Sequence, residues 1–140
     1  GRMRRVVITG AGTINALGHN VAATLDAFRE GRCGITELDI RDKERLSIGI
    51  GAQVHDWDPE KYFNRQQIAL YDRFTQFTLL AAKEAVEQSG LTFAGKLAAE
   101  SGVVLGTAGG GVSGDEGGAF TARIVAVRGR FGLDKGAGAT

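Results

Sequence analysis

Two glycine clusters are the first residues in this sequence that could bind a ligand. Gly10, Gly12 and Gly18 follow an apolar run and precede a helical pattern, which is the context of a dinucleotide-binding turn. A G-x-G-x-x-G fingerprint that starts at Gly10 needs glycine where Asn15 stands. The spacing thus gives little support to a nucleotide-dependent oxidoreductase. It favours a turn where glycine permits a positive φ or a close backbone approach.

The second cluster, residues 106–111, has the G-x-x-x-x-G spacing of a phosphate-binding loop. Such a loop continues with lysine and then serine or threonine, whereas Val112 and Ser113 follow here. Without the lysine no side-chain charge is present for the β- and γ-phosphates. Two interpretations stay open: a loop of bare backbone at the carboxyl end of a strand, where α/β sheets bind ligands, or a glycine linker.

Nucleophilic and metal-binding side chains are scarce. Cys33 is the only cysteine, which excludes an internal disulfide and a zinc site built from thiolates alone. It follows a predicted helix end, where the negative end of the helix dipole disfavours a thiolate. We therefore expect a small, half-buried packing residue. His19 and His55, the only histidines, lack metal-ligand spacing, and we expect no metal site and no cofactor.

The elements that would position these residues form an α/β pattern. Consecutive β-branched residues predict buried strands, and period-3.6 apolar stripes predict helices. Gly10-Ala11-Gly12 is expected to end the first strand, and strands alternating with helices favour a mostly parallel sheet. The predicted elements are strands at Arg4–Thr9, Ser47–Val54 and Gly102–Leu105, a helix capped by Asn20 and ended by Gly31, a helix start at Asp58–Glu60, a possible cap at Asn64, and a long helix from Ile68 to Ser89 ended by Gly90. Residues 121–128 fit a strand or a short helix.

Composition excludes several classes of protein. The chain has 140 residues, with 17 Lys plus Arg against 16 Asp plus Glu, a net charge of +1. No overall field therefore attracts nucleic acid or an anionic membrane surface. The length suits one domain, and no apolar run approaches the roughly 18 residues of a membrane span. We expect a cytoplasmic protein with neither nucleic acid nor membrane as a partner.

Several segments together resemble the β-ketoacyl-acyl carrier protein synthases, the condensing enzymes of fatty acid synthesis, and are closest to the type II enzymes. The resemblance covers about residues 3–113, in order and with ordinary spacing, although no single motif decides it. The segments that carry it are Arg4–Gly12, Asn15–Gly18, Gly31–Ile35, Asp72–Phe77 with the helix to Gly90, and Gly102–Thr107 with the glycine loop.

The resemblance implies a partial thiolase-like α/β fold, comprising the first part of an N-terminal βαβαβαββ lobe over residues 3–113. It also implies a homodimer that receives acyl groups from acyl carrier protein on a cysteine and condenses them with malonyl-carrier protein after decarboxylation. Gly109, Gly110 and Gly111 would border the acyl pocket and bind substrate. Residues 114–140 depart from the family pattern as a glycine-rich tail.

The family's catalytic set is not recognisable in this sequence. Cys33 does not match the nucleophile, which the family places in a Thr-Ala-Cys elbow, and His19 and His55 lie too early to match the catalytic histidines. We therefore expect no catalytic residue here, an N-terminal piece of a synthase, and no condensation by these residues alone. The alternative is a non-catalytic assembly fragment that pairs with another synthase chain.

Overall fold

The structure, a computed structural model, describes residues 6–107 together with the backbone of residues 122–128. It places four strands and four α-helices in these residues. Two single turns of 3₁₀ helix, at Lys43–Arg45 and Pro59–Lys61, lie in the connections. In chain order the elements are β1 (Val7–Ile14), α1 (Val21–Arg29), β2 (Ile35–Glu37), β3 (Ile50–Ala52), α2 (Arg65–Leu70), α3 (Arg73–Ser89), α4 (Gly95–Ala99) and β4 (Ala122–Arg128).

Both sheets in the described residues are two-stranded and antiparallel. β1 pairs with β4 from Val7 opposite Arg128 to Ile14 opposite Ala122, with an irregularity between Ile8 and Gly10. β2 pairs with β3 as a hairpin. The predicted mostly parallel sheet is therefore wrong for these residues, because periodicity reveals a strand but not its partner. The ambiguous stretch at 121–128 is a strand, β4.

β1 does not end at its glycines, contrary to the prediction, but runs through them to Ile14. Gly10 and Gly12 lie directly against the backbone of α3. A Cβ at Gly12 would stand 1.9 Å from the carbonyl oxygen of Ala81, and one at Gly10 would stand 2.1 Å from that of Ala85. The glycines thus serve the close backbone approach that was one of the two expected reasons for them.

The predicted ends of α1 are confirmed. The Asn20 side chain accepts a hydrogen bond from the Ala23 N–H at 2.8 Å, as an N-cap does. Beyond the last turn, Gly31 adopts a φ of 66°, a left-handed conformation that a side chain disfavours. Local capping chemistry therefore fixes this helix independently of its packing.

The long predicted helix is two helices, with a break at Tyr71 and Asp72. The Asp72 side chain accepts from the Thr75 N–H at 2.8 Å and so begins α3. The preceding α2 has its own capping box between Asn64 and Gln67, which confirms the cap at Asn64. The apolar spacing in the sequence continues across the break, although Leu70 at the end of α2 is exposed, and only the cap at Asp72 reveals the division.

The predicted strand at Gly102–Leu105 is absent from the described sheets. Val103 and Val104 are 91% and 97% exposed. The β-branched composition favours a strand, but no described element pairs with this run or covers it. The weaker strand at Ser47–Val54 shortens to β3.

The fully buried core is small and lies where α3 crosses β1. It consists of Ile14, Ala27, Phe77, Ala81 and Ala85. Ala81 and Ala85 of α3 face Gly12 and Gly10 of β1 and leave little side-chain volume between the two backbones, so backbone proximity replaces a thick apolar layer here. Ala27 contributes from α1. No helix in the described residues has the length and apolarity that a bilayer crossing requires.

The β2–β3 hairpin carries a pH-dependent ion pair between Glu37 and Lys43. The hydrogen bond from Lys43 and then its positive charge hold the pKa of the Glu37 carboxyl below its ordinary value. Since the folded-state pKa is lowered, the pair stabilises the hairpin above the ordinary carboxyl range and is lost as pH falls through the lowered pKa.

We predict that Lys43→Met moves the Glu37 titration, followed by NMR of its side-chain carboxyl carbon, to higher pH. Glu44→Gln, one residue further along, serves as the control and should leave that titration in place. An unchanged Glu37 titration in Lys43→Met would show that Lys43 is not the cause.

Candidate functional site

The turn between β1 and α1 is held by hydrogen bonds within the chain. The Asn15 side-chain amide donates to Thr13 Oγ1 and Thr24 Oγ1, each at 3.0 Å. Its carbonyl oxygen accepts from the Leu17 N–H at 2.8 Å. Asn15 also exchanges backbone hydrogen bonds with Gly18. The residue that occupies the place of a fingerprint glycine is therefore the one that organises this turn.

Glu84 on α3 joins three elements. One carboxylate oxygen accepts from the Val21 N–H at the start of α1 at 2.8 Å. The other oxygen accepts from the Thr13 N–H of β1 at 3.0 Å. The Ala11 N–H of β1 donates to Gln88 Oε1 at 2.6 Å. The two bonds of the Glu84 carboxylate are charge-assisted, and such bonds to backbone amides are stronger than neutral ones.

Sequence reasoning missed Glu84 and Gln88, although a signal was present. Glu84 stands directly before Ala85 and three residues after Ala81, both fully buried. A carboxylate beside an apolar helix stripe needs a partner when it is partly covered, so its position next to the buried alanines would have identified it.

Trp57 lies at the centre of an aromatic cluster. Its ring stacks on Tyr62, with centroids 5.6 Å apart and planes 7° apart. The edge-to-face contact with Phe77 has a centroid distance of 4.8 Å and an interplanar angle of 82°. The indole N–H donates to Gln76 Oε1 at 2.9 Å, and the buried Gln76 amide donates to the Tyr71 carbonyl at 2.9 Å. Trp57 is therefore a packing residue that joins the segment before α2 to α3.

The two histidines meet although they lie far apart in the sequence. His19 Nε2 donates to the His55 carbonyl oxygen at 2.6 Å, and His55 Nε2 lies 3.2 Å from Thr36 Oγ1. The His19 ring also contacts Trp57 edge-on at 6.0 Å. Their polar atoms therefore tie the β1–α1 turn to the hairpin. Within residues 6–107, no three His, Cys, Asp or Glu side chains are grouped to hold a metal ion.

Cys33 is exposed, so the expectation of a half-buried packing residue is wrong about its burial. Its sulfur lies 4.0 Å from the Ile35 carbonyl oxygen. The chain turns away from α1 at Gly31. The Cys33 thiol, two residues later, is therefore exposed to solvent rather than packed against the helix.

The glycines proposed to bind substrate, Gly109, Gly110 and Gly111, lie outside the described residues, as does the proposed boundary at residue 113. Both stay predictions. Gly106 is described, and a Cβ there would meet no atom within 4 Å.

Comparisons with known proteins agree on one group. A family profile described as the N-terminal domain of beta-ketoacyl synthase matches residues 3–130. The 3-oxoacyl-[acyl-carrier-protein] synthase 2 of Vibrio harveyi is 32% identical over 109 residues, and that of Coxiella burnetii is 35% identical. Each alignment covers 78% of this chain and 26% of the relative. The chain therefore spans about a quarter of the length of these relatives.

Solved structures show a similar fold. The ishigamide ketosynthase/chain length factor superposes with a TM-score of 0.57 and 30% identity, covering 66% of this chain and 23% of that one. A beta-ketoacyl synthase from Burkholderia phymatum gives a TM-score of 0.50 and 25% identity over 67% of this chain and 23% of its own. The described residues thus have a partial thiolase-like fold of mixed α/β character, as the family resemblance implied.

Proposed function

The chain belongs to the β-ketoacyl synthase family, as part of that family's N-terminal domain, and on this premise we propose that it is the N-terminal section of a condensing enzyme. The reaction proposed is acyl transfer to a cysteine followed by decarboxylative condensation with a malonyl thioester. The match of the family profile over residues 3–130 carries the proposal. Acyl carrier protein and acyl and malonyl thioesters are its proposed partners and substrates.

We infer that these residues act as scaffold rather than as chemical groups. Several polar side chains of the described residues bind backbone: Glu84 accepts from the Val21 and Thr13 amides, and His19 donates to the His55 carbonyl. The exposed Cys33 thiol hydrogen-bonds the Ile35 carbonyl oxygen and no basic side chain among the described residues. This supports a frame that positions other parts of an enzyme, with Gly109, Gly110 and Gly111 proposed to border its acyl pocket.

Exposed apolar residues support a second candidate, an assembly role in which the chain pairs with another synthase chain or with its own copy. Val103, Val104 and Leu105 are 91%, 97% and 51% exposed, which is unusual for a run of large aliphatic side chains. A concentration-independent monomer in light scattering would count against both forms of association. We also propose that the protein is cytoplasmic and that residues 3–113 form the part of its chain that resembles the family domain.

The scaffold proposal is tested by mass spectrometry. After incubation with an acyl-carrier protein thioester, the 140-residue polypeptide should keep its mass near 14.7 kDa, because it offers no activated nucleophile. The Cys33→Ala variant, treated identically, is the control. An acyl-sized increase that disappears in Cys33→Ala would show that the chain carries its own acyl acceptor, and the proposal would be wrong.

A further inference from the structure

The outer edge of β1 is closed by side chains rather than by a strand. In the described residues β1 has only β4 as a neighbour in its sheet. The N–H groups of Ala11 and Thr13, two residues apart, point to the same side of the strand. Gln88 Oε1 accepts from the first at 2.6 Å and Glu84 Oε2 from the second at 3.0 Å. These two amides of the C-terminal half of β1 are therefore already bonded and cannot donate to an added strand without breaking those bonds.

The spacing of residues along a helix nearly equals the spacing along a strand, and this explains how side chains of one helix reach both amides. Positions i and i+2 of a strand are about 6.8 Å apart along the chain, while positions i and i+4 of a helix are about 6.0 Å apart. Glu84 and Gln88 are one such helical pair. Since Gly10 and Gly12 let α3 approach the strand closely, these side chains reach the edge.

Glu84 is held in place from a second direction. Its other oxygen accepts from the Val21 N–H at 2.8 Å, at the positive end of α1. A rotation of the Glu84 side chain that breaks its bond to the Thr13 amide would therefore also break its bond to the Val21 amide. A strand arriving at the edge would also bring carbonyl oxygens toward a negative charge, which is repulsive.

The same chain exposes a segment suited to strand pairing. Val103 and Val104 are β-branched, almost fully exposed, and unpaired in the described sheets. β-branched residues favour strands, and an exposed edge pairs readily with such segments of other chains. The occupant to be excluded from the β1 edge is therefore Val103–Leu105 of a second copy.

We propose that Glu84 and Gln88 form an edge guard, which keeps the outer edge of β1 from accepting Val103–Leu105 of a second copy as an added strand. The inference does not depend on the proposed enzymatic function. It concerns strand addition at the edge of β1 alone and leaves open association of the chain through other surfaces.

The test measures binding of a fluorescein-labelled peptide of residues 101–107 by anisotropy. Gln88→Ala frees the Ala11 amide and leaves both bonds of Glu84 intact. We expect it to bind the peptide about fivefold more tightly than the unsubstituted protein, as the loss of one competing hydrogen bond implies. Glu84→Ala combined with Gln88→Ala should exceed tenfold and form dimers in light scattering.

Glu87→Ala is the matched control, because Glu87 lies on the same helix and pairs only loosely with Lys83 at 3.9 Å. It should bind the peptide like the unsubstituted protein. A peptide with Val104→Lys should lose the gain in affinity. If Gln88→Ala, shown to be folded by circular dichroism, binds no more tightly than Glu87→Ala, the guard proposal is wrong. This single variant decides the question even where the double variant fails to fold.

Discussion

Replacing Gly12 with alanine should destabilise the fold by about 3 kcal/mol or more, the upper range for inserting a methyl group into a closely packed site. The new Cβ would stand 1.9 Å from the carbonyl oxygen of Ala81 and 2.8 Å from its carbonyl carbon. Neither atom can move without shifting α3 from β1. Such a loss is a large part of the 5–15 kcal/mol typical of a domain. Urea unfolding followed by far-UV circular dichroism measures it.

Two further variants make this prediction specific. Gly102→Ala adds the same methyl group where no atom lies within 4 Å, and it should leave the unfolding free energy nearly unchanged. Ala81→Gly should not rescue Gly12→Ala, because the obstructing atoms belong to the Ala81 backbone. Equal stability of Gly12→Ala and Gly102→Ala would contradict the close approach of β1 and α3.

The second large effect is expected for Trp57→Ala, with a loss of about 3 kcal/mol, the lower end for truncating a large aromatic residue. The indole contacts Tyr62, Phe77 and His19 together. Its removal would separate the residues before α2 from α3. Thermal unfolding of this variant beside the unsubstituted protein measures the loss.

Trp57→Phe separates packing from hydrogen bonding. It retains an aromatic ring but leaves Gln76 Oε1 without the indole N–H, a loss of about 1 kcal/mol for a group in a buried side chain. The expected order of stability is therefore unsubstituted, then Trp57→Phe, then Trp57→Ala. A Trp57→Ala variant as stable as Trp57→Phe would show that the ring contributes little.

Local capping chemistry was predictable from the sequence, and the structure confirms it at several places. Asn20 caps α1, Asn64 begins α2 and Gly90 ends α3 with a φ of 64°. Each of these depends on a residue's own conformational preference or on a hydrogen bond three residues away. Such interactions are determined by short stretches of sequence, so they can be predicted without the tertiary structure.

Strand pairing was not predictable in the same way. The glycines of β1 resembled a strand end because an isolated glycine favours turns, whereas the deciding fact is α3 lying against them. The partner of β1 is β4, more than a hundred residues later in the chain. The Val103–Leu105 segment showed the right composition for a strand, yet its pairing depends on surroundings that composition does not record.

The candidate site, too, was predictable from the sequence only in part. The resemblance to condensing enzymes arose from several short segments read together, and the family match supports it. The roles of Glu84 and Gln88 depend on distances to amides some seventy residues away in sequence, which no local pattern encodes. The proposed substrate contacts of Gly109, Gly110 and Gly111 stay a prediction that the described residues do not test.

The most direct test of the central claim, that these residues are a working N-terminal section of a condensing enzyme, is a chimera. Residues 3–113 would replace the matching quarter of the Vibrio harveyi 3-oxoacyl-[acyl-carrier-protein] synthase 2, and formation of 3-oxoacyl-carrier protein would be measured. We predict condensation by the chimera and its loss on adding Gly12→Ala. A chimera that folds and assembles like the relative but forms no condensation product would contradict the claim.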